Sequence, residues 1–246
     1  MNISVLQWNV WYKENVENIT EFLRQNPADI ITLQEMPIRH EDFKINESPS
    51  YIAKDLGYNF YHAEVPIEDP DGRKRVLANG VLSKFPITSG RFIWIKEPKG
   101  RGGYNDEFRA YVEVTLEIEG KKLTVGTTHM SYTHKFGPNE SKKAETDILL
   151  REIKKHRENY IFAGDLNALP DSYTVSSLSE IMRNAGPDAN QKTWTTKPFS
   201  YNGFEANTLD WRLDYIFTSK NIKALRSEII KTGYSDHLPI RAELSL

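Results

Sequence analysis

The sequence predicts an α/β fold of helices and mixed β-sheets, and three observations support this class. Segments with helical spacing of apolar residues alternate with short β-branched runs along the chain. The middle is rich in strand patterns, and Glu119-Gly120 joins two of them as a predicted hairpin, which argues against a purely parallel sheet. No internal repeat and no linker-like stretch divides the 246 residues, so we expect a single domain spanning residues 1–246.

The first quarter of the chain alternates strands with helices. Residues 3–8 form a predicted strand, and residues 15–25 place apolar side chains at helical spacing until Asn26-Pro27 ends the helix. The β-branched run at 29–33 predicts a buried strand. A second helix is expected to follow Pro49 and to end at Gly57.

The middle of the chain is predicted to consist mainly of strands. The expected strands are residues 58–65, 76–83, 88–95, 108–118 and 122–129. Between them, residues 66–75 and 96–107 are rich in Pro, Gly and charge, so they are predicted to be exposed loops.

The last part of the chain returns to helices and strands. A charged helix is predicted over residues 140–156, with apolar side chains on one face: Ala144, Ile148, Leu149 and Ile153. The remaining predicted elements are a strand at 160–163, a helix at 173–184 that stops near Gly186, and strands near 213–218, 223–230 and 238–244.

Composition excludes several classes of protein. The chain has 32 Lys+Arg and 34 Asp+Glu, a formal net charge of −2, which argues against a non-specific nucleic-acid coat. It has 0 Cys, which excludes disulfide frameworks, zinc–thiolate sites, iron–sulfur clusters and a cysteine nucleophile. No signal-peptide pattern and no apolar run of about 18 residues is present. We therefore expect a cytoplasmic monomer; a secreted protein that has lost its leader is the alternative.

Polar side chains end several of the apolar strands, where sites assemble in layered α/β folds. The strand-end residues are Asn9, Glu35, His129, Asp165 with Asn167, Asp214, and Asp236 with His237. Each has a structural alternative. Asn9 can close a turn, Asp165-Leu166-Asn167 can form an Asx turn, and Asp214 can pair with Arg212 or Arg241. Structural roles alone are a poor explanation for all of them together.

These residue types suit the hydrolysis of phosphoesters with a hard metal ion. Oxygen ligands without cysteine favour Mg²⁺ or Mn²⁺ over Zn²⁺. A carboxylate such as Asp165 can accept a proton from water. A histidine near a carboxylate, here His237 with Asp214, can be held in one tautomer and donate to a phosphate.

The same positions carry a family resemblance. In order, the chain contains WNV (8–10), LQE (33–35), NGVLSKFPI (79–87), TTHMS (127–131), AGDLNALPDS (163–172), WRLDYIF (211–217) and SDHLPI (235–240). This series resembles the endonuclease/exonuclease/phosphatase superfamily, which includes DNase I, exonuclease III-type AP endonucleases, sphingomyelinases, inositol polyphosphate 5-phosphatases and deadenylases. The resemblance covers nearly the whole chain. It implies a four-layer α/β sandwich with two mixed β-sheets flanked by helices.

The resemblance also implies a role for each residue. Glu35 is the central metal ligand, Asn9 lies beside it, and Asp236 lies on the metal side of the site, which would hold Mg²⁺ or Mn²⁺. Asp165 orients or deprotonates the attacking water, and Asn167 contacts the phosphate.

The remaining implied roles concern charge in the transition state. His237 contacts the phosphate and Asp214 orients it, while His129 matches a histidine that stabilises transition-state charge. Arg109 is a candidate phosphate contact, with a salt bridge on a strand edge as the alternative.

The chain departs from the DNA-repair members of the superfamily at Trp11. AP endonucleases and tyrosyl-DNA phosphodiesterases usually carry an Asp at this position, so a second carboxylate-bound metal is not expected here. AP endonucleases also lack the TTHMS-type histidine. The WRLDY segment nevertheless resembles their version, and Trp211 is interpreted either as a core residue or as a base-stacking residue.

Three functions remain open within this resemblance. A nuclease acting on DNA or RNA is favoured because basic residues lie on or beside the two predicted loops, although a solvated loop face explains them equally well. These residues are Arg73, Lys74, Arg75, Lys99, Arg101 and Arg109. A phospholipid or inositol/sugar-phosphate esterase is the alternative, with Phe92, Trp94 and Ile95 as a candidate membrane hairpin or, more simply, a buried strand. An inactive binding module is disfavoured because Glu35, Asp165 and His237 are all retained.

Overall fold

The computed structural model describes residues 1–39, 47–68, 74–98 and 107–246. Within them the chain forms four α-helices: α1 (Val16–Gln25), α2 (Ser48–Leu56), α3 (Glu140–Ile153) and α4 (Tyr173–Ile181). The strands are β1 (Asn2–Asn9), β2 (Ile30–Arg39), β3 (Asn59–Glu68), β4 (Lys74–Ser83), β5 (Ile87–Lys96), β6 (Arg109–Ile118), β7 (Lys121–His129), β8 (Tyr160–Asp165), β9 (Arg183–Asn184), β10 (Phe199–Tyr201), β11 (Phe204–Ala206), β12 (Asp214–Thr218), β13 (Lys223–Ile229) and β14 (Ile240–Ser245). A short 3₁₀ turn spans His134–Phe136.

The strands form two six-stranded sheets and one small hairpin. The first sheet has the order β13-β14-β1-β2-β4-β3, and the second has the order β5-β6-β7-β8-β12-β9. In each sheet one neighbouring pair is parallel, β1 with β2 and β7 with β8, and the others are antiparallel. Each parallel pair is joined through a helix, as a parallel connection requires. The prediction of mixed sheets is therefore confirmed.

Three hydrophobic clusters divide the molecule into four layers. The first fills the space between the sheets, with Ile3 and Val5 from one sheet packed near Val114 and Ile161 from the other. A second cluster packs α1 and α2 on the outer face of the first sheet. A third packs α3 and α4 on the outer face of the second sheet. The order helix, sheet, sheet, helix confirms the predicted four-layer α/β sandwich.

Local signals place several element boundaries where the sequence predicted them. Asn26 caps the end of α1, and Gly57 ends α2 in the left-handed conformation at φ 73°. Glu119 and Gly120 have φ 50° and 77°, the pair of positive angles that a two-residue hairpin turn needs. β6 and β7 pair directly across this turn.

The two predicted exposed loops are wrong at their edges. β3 and β4 continue as a hairpin beyond Val65, so that Pro66 pairs with Val76 and Ile67 with Arg75. Glu107, expected in an exposed loop, is buried. The central parts of both predicted loops, 69–73 and 99–106, lie outside the described residues.

The predicted apolar face of the third helix is confirmed at Ile148, Leu149 and Ile153 but is wrong at Ala144. Ala144 is exposed, whereas Lys142 and Glu145 are buried beside Leu149 and Ile153. These two charged side chains extend the buried face of the helix because they bond to backbone groups beneath it. α4 ends at Ile181 and is followed by the two-residue strand β9. Among the described residues, no helix is both long and apolar enough to cross a membrane.

Candidate active site

Strand ends from both sheets converge at one edge of the sandwich. Asn9, His129 and Asp165 are the last residues of β1, β7 and β8. Asp214 opens β12 and pairs in register with Asp165, which in turn pairs with His129. Because these strand ends share one edge, side chains far apart in sequence meet there.

Glu35 reaches this edge through an irregularity in β2. The register with β4 shifts between Leu33 and Met36, and Glu35 has φ 59°. A bulge of this kind re-aims a side chain, and the left-handed conformation costs of order 1–3 kcal/mol for a non-glycine residue. The carboxylate accepts hydrogen bonds at its two oxygens from Asn9 Nδ2 (3.0 Å) and from the backbone N–H of Tyr12 (3.2 Å).

The amide of Asn9 links two carboxylates. Its Nδ2 donates to Glu35 Oε1 and to Asp165 Oδ2, each at 3.0 Å, and its Oδ1 accepts from the backbone N–H of Trp11 at 3.1 Å. Asn9 thus also closes a turn, which was the structural alternative for this residue. It serves both purposes, because the turn presents the amide to the two acids.

The oxygen donors around Glu35 suit a hard cation. Burial, followed by the charge of Asp236, raises the pKa of Glu35 to about 7. The charge of His237 lowers the pKa of Glu35 without offsetting this increase. A divalent ion would offset the repulsion between the two carboxylates further. A second group of potential ligands, Asp165, Asp214 and His237, has its ligand atoms within 4.8 Å of one another. The donor chemistry therefore fits a divalent metal.

His237 is held as a cation by its surroundings. Its Nδ1 lies 2.8 Å from Asp214 Oδ2, and its Nε2 lies 3.6 Å from Asp165 Oδ2. Burial alone would lower its pKa, but the charges of Asp214, Asp165 and Asp236 raise that pKa well above the usual range. Trp8 Nε1 donates to the His237 carbonyl oxygen at 3.0 Å and fixes the backbone at this point.

His129 has the opposite protonation state. Burial, followed by the charges of Arg109, His237 and Lys142, lowers its pKa well below the usual range. Its Nε2 lies 3.0 Å from Asn167 Nδ2 and therefore accepts as a neutral ring. The site thus combines one neutral histidine with one charged histidine.

Asn167 is fixed through three contacts. Besides its contact with His129, its Nδ2 donates to the Met130 carbonyl at 3.0 Å, and its backbone N–H donates to Asp165 Oδ1 at 2.9 Å. The last contact is the Asx turn expected from the sequence. Burial raises the pKa of Asp165 to about 6.

A cavity of about 340 Å³ opens above these groups. The half-buried side chain of Asp236 lines the wall of this cavity and accepts a hydrogen bond from Trp194 Nε1 at 3.0 Å. Cations lie beside the aromatic rings at its rim: the Arg75 guanidinium is 4.1 Å from the Tyr12 ring centroid, and Lys197 Nζ is 6.0 Å from that of Trp11.

Arg109 combines the two interpretations offered by the sequence. It lines the cavity, and it is buried in an ion pair with Glu107. Its Nε has no hydrogen-bond partner among the described residues. Of the other predicted rim cations, Arg73, Lys99 and Arg101 lie outside the described residues, and only the backbone of Lys74 is described. Trp211 packs against Phe136 and Phe204, which favours its interpretation as a core residue.

Sequence reasoning missed a polar layer beneath the site. Gln34 Nε2 donates to Thr127 Oγ1 in the opposite sheet at 3.0 Å, and Gln7 Nε2 lies 3.4 Å from Asp214 Oδ1. The signal was present, because each glutamine interrupts an apolar strand. Lys142 and Lys197 were also missed. Lys142 gave no signal because it lies among other charged residues, and Lys197 gave none because it is a single lysine in a polar segment.

Several solved structures share the fold of this chain. The structure is similar to an endonuclease/exonuclease/phosphatase from Beutenbergia cavernae DSM 12333, with a TM-score of 0.82 and 21% identity over 100% of this chain and 72% of that one. It is also similar to TDP2 of D. rerio complexed with a single-strand DNA product (TM-score 0.73, 19% identity, 100% and 99% covered). A mannosyl-6-phosphatase of Bacteroides thetaiotaomicron VPI-5482 gives a TM-score of 0.70 at 15% identity, with 99% and 100% covered.

Sequence comparison identifies a family for this chain but no individual curated relative. No curated protein matches this chain significantly. The sequence model of the Endonuclease/Exonuclease/phosphatase family, in contrast, matches residues 6–237. The chain therefore belongs to this family, whose members are metal-dependent phosphoester hydrolases.

Proposed function

We propose that this protein hydrolyses phosphodiester bonds in nucleic acid by metal-assisted, in-line attack of water. One observation carries the choice of substrate: the cavity above the acidic and histidine groups is rimmed by aromatic rings that have cations beside them. Stacked rings bind bases of any sequence, and cations contact the adjoining phosphates.

The metal site in this proposal is formed by Asn9, Glu35 and Asp236, with Mg²⁺ or Mn²⁺ as the ion. The raised pKa of Glu35 and the nearby charge of Asp236 support this assignment, because a cation relieves both. When bound, the ion polarises the phosphate and stabilises charge on the leaving oxygen. Trp11 stands where related nucleases carry an Asp, so a single tight site is proposed.

Asp165 is the proposed acceptor for the proton of the attacking water. Its two oxygens are already fixed, one by the Asn167 N–H and the other by Asn9 Nδ2. A positioned carboxylate of this kind removes a proton without first having to reorient. Asn167 is the proposed phosphate contact, and its orientation beside Asp165 is held by Met130 and His129.

His237 is the proposed stabiliser of transition-state charge. As a cation, it offers the Nε2 proton to a non-bridging phosphate oxygen, while Asp214 holds the ring at Nδ1. A hydrogen bond from a preformed donor to developing charge is stronger in a buried site than in water, because the local dielectric constant is low. His129 is neutral, and its Nε2 lies 3.5 Å from the same Asp165 oxygen that His237 approaches.

A second candidate function is the hydrolysis of a small sugar or inositol phosphate. The observation that favours it is the size of the cavity, about 340 Å³, which suits a small molecule. Arg75, Lys197 and Lys13 would then bind a further phosphate group of the substrate. The similar structures include both a DNA-bound protein and a phosphatase, so they support either candidate.

A hydrolysis screen tests the proposal. Purified protein is assayed with Mg²⁺ and with Mn²⁺ on single-stranded DNA, plasmid DNA, RNA, bis-p-nitrophenyl phosphate, mannose 6-phosphate and inositol phosphates, with Asp165→Asn as the inactive control. We expect cleavage of a nucleic acid that is absent in the control and in excess EDTA. Phosphate release from the small monoesters alone would support the second candidate, and no hydrolysis of any substrate would reject both.

A further inference from the structure

Lys142 lies on helix α3 and has been given no role in the proposed chemistry, yet its ammonium group is buried beneath the active site. The residue is 7% exposed. Its Nζ donates to the Ser131 carbonyl at 2.7 Å and to the Leu166 carbonyl at 2.5 Å. We propose that Lys142 is a positioning residue, which holds together the loop that follows His129 and the loop that follows Asp165 and contains Asn167.

The two carbonyls belong to the loops that follow β7 and β8. Ser131 comes two residues after His129, and Leu166 lies between Asp165 and Asn167. The loops touch each other directly at two points, Met130 N–H to the Asp165 carbonyl (2.9 Å) and Asn167 Nδ2 to the Met130 carbonyl (3.0 Å). The ammonium adds a third connection, from behind.

Glu145, on the next turn of α3, also binds Ser131. Glu145 Oε1 accepts from the Ser131 backbone N–H at 2.9 Å, so α3 contacts both the N–H and the carbonyl of that residue. Lys96 Nζ donates to the Ser131 hydroxyl at 3.0 Å from the other side. The carboxylate of Glu145 also compensates the charge of Lys142. Burial lowers the pKa of Lys142 to about 8, and the charges of Glu145 and Asp165 oppose that change.

Stability alone is a weak reason for this arrangement. A buried ion pair can often be replaced as a whole by apolar side chains of similar volume with little loss of stability, whereas removing one partner alone is destabilising. An apolar replacement would, however, leave two buried carbonyls unpaired and free to rotate away. Since a misplacement of about 1 Å at a catalytic group can cost about 10²-fold in rate, the loss is expected in catalysis.

The absence of cysteine in the chain allows a sharp test. The inference rests on phosphoester hydrolysis by the proposed site but not on nucleic acid as the substrate. Lys142→Cys introduces the only thiol in the chain. The unfolded variant is alkylated in denaturant and then refolded. Alkylation with 2-bromoethylamine restores a side chain of nearly native length that ends in an ammonium group, whereas iodoacetamide gives a neutral amide. Lys143→Cys, at the exposed neighbouring position, is the matched control.

We expect Lys142→Cys to lower kcat roughly 10–100-fold with KM changed less than about threefold. Aminoethylation should restore most of the activity, the neutral adduct should not, and the Lys143 series should stay at the wild-type level. Wild-type kcat in Lys142→Cys, or equal recovery with both reagents, would overturn the inference.

A second variant covers a failure to refold and is independent of turnover. Lys142→Met keeps an unbranched apolar side chain and removes only the ammonium group. Amide hydrogen exchange of this variant is compared with that of the wild type. Exchange at residues 130–131 and 166–167 should accelerate about tenfold or more, while the central strands stay protected. Unchanged exchange at both loops would contradict the role of Lys142 even if no substrate is found, whereas an inactive wild type would contradict the proposed function alone.

Discussion

The Nδ1 atom of His237 lies 2.8 Å from Asp214 Oδ2, and both side chains are buried. A buried imidazole without such a partner would lose its proton, because burial disfavours the charged form. Here the carboxylate fixes the tautomer and retains the charge, while the opposite nitrogen faces Asp165. The relationship makes the pair a single unit with respect to both geometry and charge.

Removing either member of this pair should therefore have non-additive effects. His237→Ala should lower kcat by roughly 10²–10⁴-fold, the range of a positioned acid–base group, and Asp214→Asn should lower it less. The double variant should be no worse than His237→Ala. Steady-state kinetics of all four proteins measures the coupling, and losses that simply multiply would show that the two residues act independently.

The pH profile of Asp214→Asn offers a separate prediction. Burial lowers the pKa of His237 and Asp214 raises it most among the neighbouring charges, so loss of the carboxylate should lower that pKa. The ring then loses its proton at a lower pH, and the basic limb of the kcat profile should move downward. A basic limb that stays in place would mean that another group sets it.

Glu35→Gln should separate metal binding from folding. The neutral amide removes the repulsion with Asp236 and the cost of burying a charge, so the metal-free variant should melt at a higher temperature than the wild type in EDTA. The rise in Tm with Mg²⁺ or Mn²⁺, which reports binding to the folded state, should largely disappear. Thermal scans with and without metal measure both. A variant that is still stabilised by metal to the wild-type extent would exclude Glu35 as a ligand.

The aromatic rim should contribute to substrate binding rather than to chemistry. If Trp11 stacks on a base, Trp11→Ala should raise KM for a cleaved oligonucleotide by about 5–100-fold, equivalent to about 1–3 kcal/mol, with kcat changed little. Phe92→Ala, at a ring that is 42% exposed on β5 away from the cavity, is the control and should have no effect. An equal KM for both variants would remove Trp11 from the binding surface.

Glu113 should govern part of the acid stability of the fold. Its carboxylate accepts from Arg91 Nε (2.9 Å), Tyr111 Oη (2.6 Å) and His156 Nε2 (2.7 Å). Burial raises its pKa, but these hydrogen bonds outweigh burial and lower the pKa to about 2. Because the folded-state pKa is depressed, the stabilisation is complete above the unfolded value of 4.5 and is lost as the pH falls towards 2.

Glu113→Gln should therefore flatten the dependence of stability on pH. The difference in unfolding free energy between pH 7 and pH 3 should shrink by about 1–2 kcal/mol, a value reduced from the full shift because solvent screens part of the interaction. Urea titrations at the two pH values measure it. Glu119→Gln, at the exposed hairpin turn, is the control, and an unchanged slope in Glu113→Gln would show that the network does not stabilise the carboxylate.

The sequence was informative where one side chain decides the outcome. Polar residues that end apolar strands, such as His129 and Asp165, lie at the common edge as predicted, because strand ends are fixed by the sheet. The hairpin at Phe199–Ala206 was missed although Asn202-Gly203, with φ 47° and 73°, is a strong turn signal. Three-residue strands are too short to show the alternation of apolar and polar side chains by which the longer strands were predicted.

Other features depend on contacts that no local pattern carries. Glu35 reaches the site only through a left-handed residue in a bulged strand, and an apolar run gives no sign of it. The orientation of α3 is set by Lys142 and Glu145, which bond to backbone groups more than ten residues away. In a charged helix, those two residues look the same as their exposed neighbours until the partner loops are in place.

Each half of the sandwich contributes only part of the site: Asn9 and Glu35 come from the first sheet, and His129, Asp165 and Asp214 from the second. A slide of one sheet across the other by a single residue would leave every strand paired and the secondary structure intact, yet it would separate Asp165 from Asn9, whose amide links it to Glu35. The catalytic rate therefore depends on the alignment of the two sheets. The hydrogen bond between Gln34 and Thr127 connects the two sheets directly beneath the site, in addition to their apolar packing.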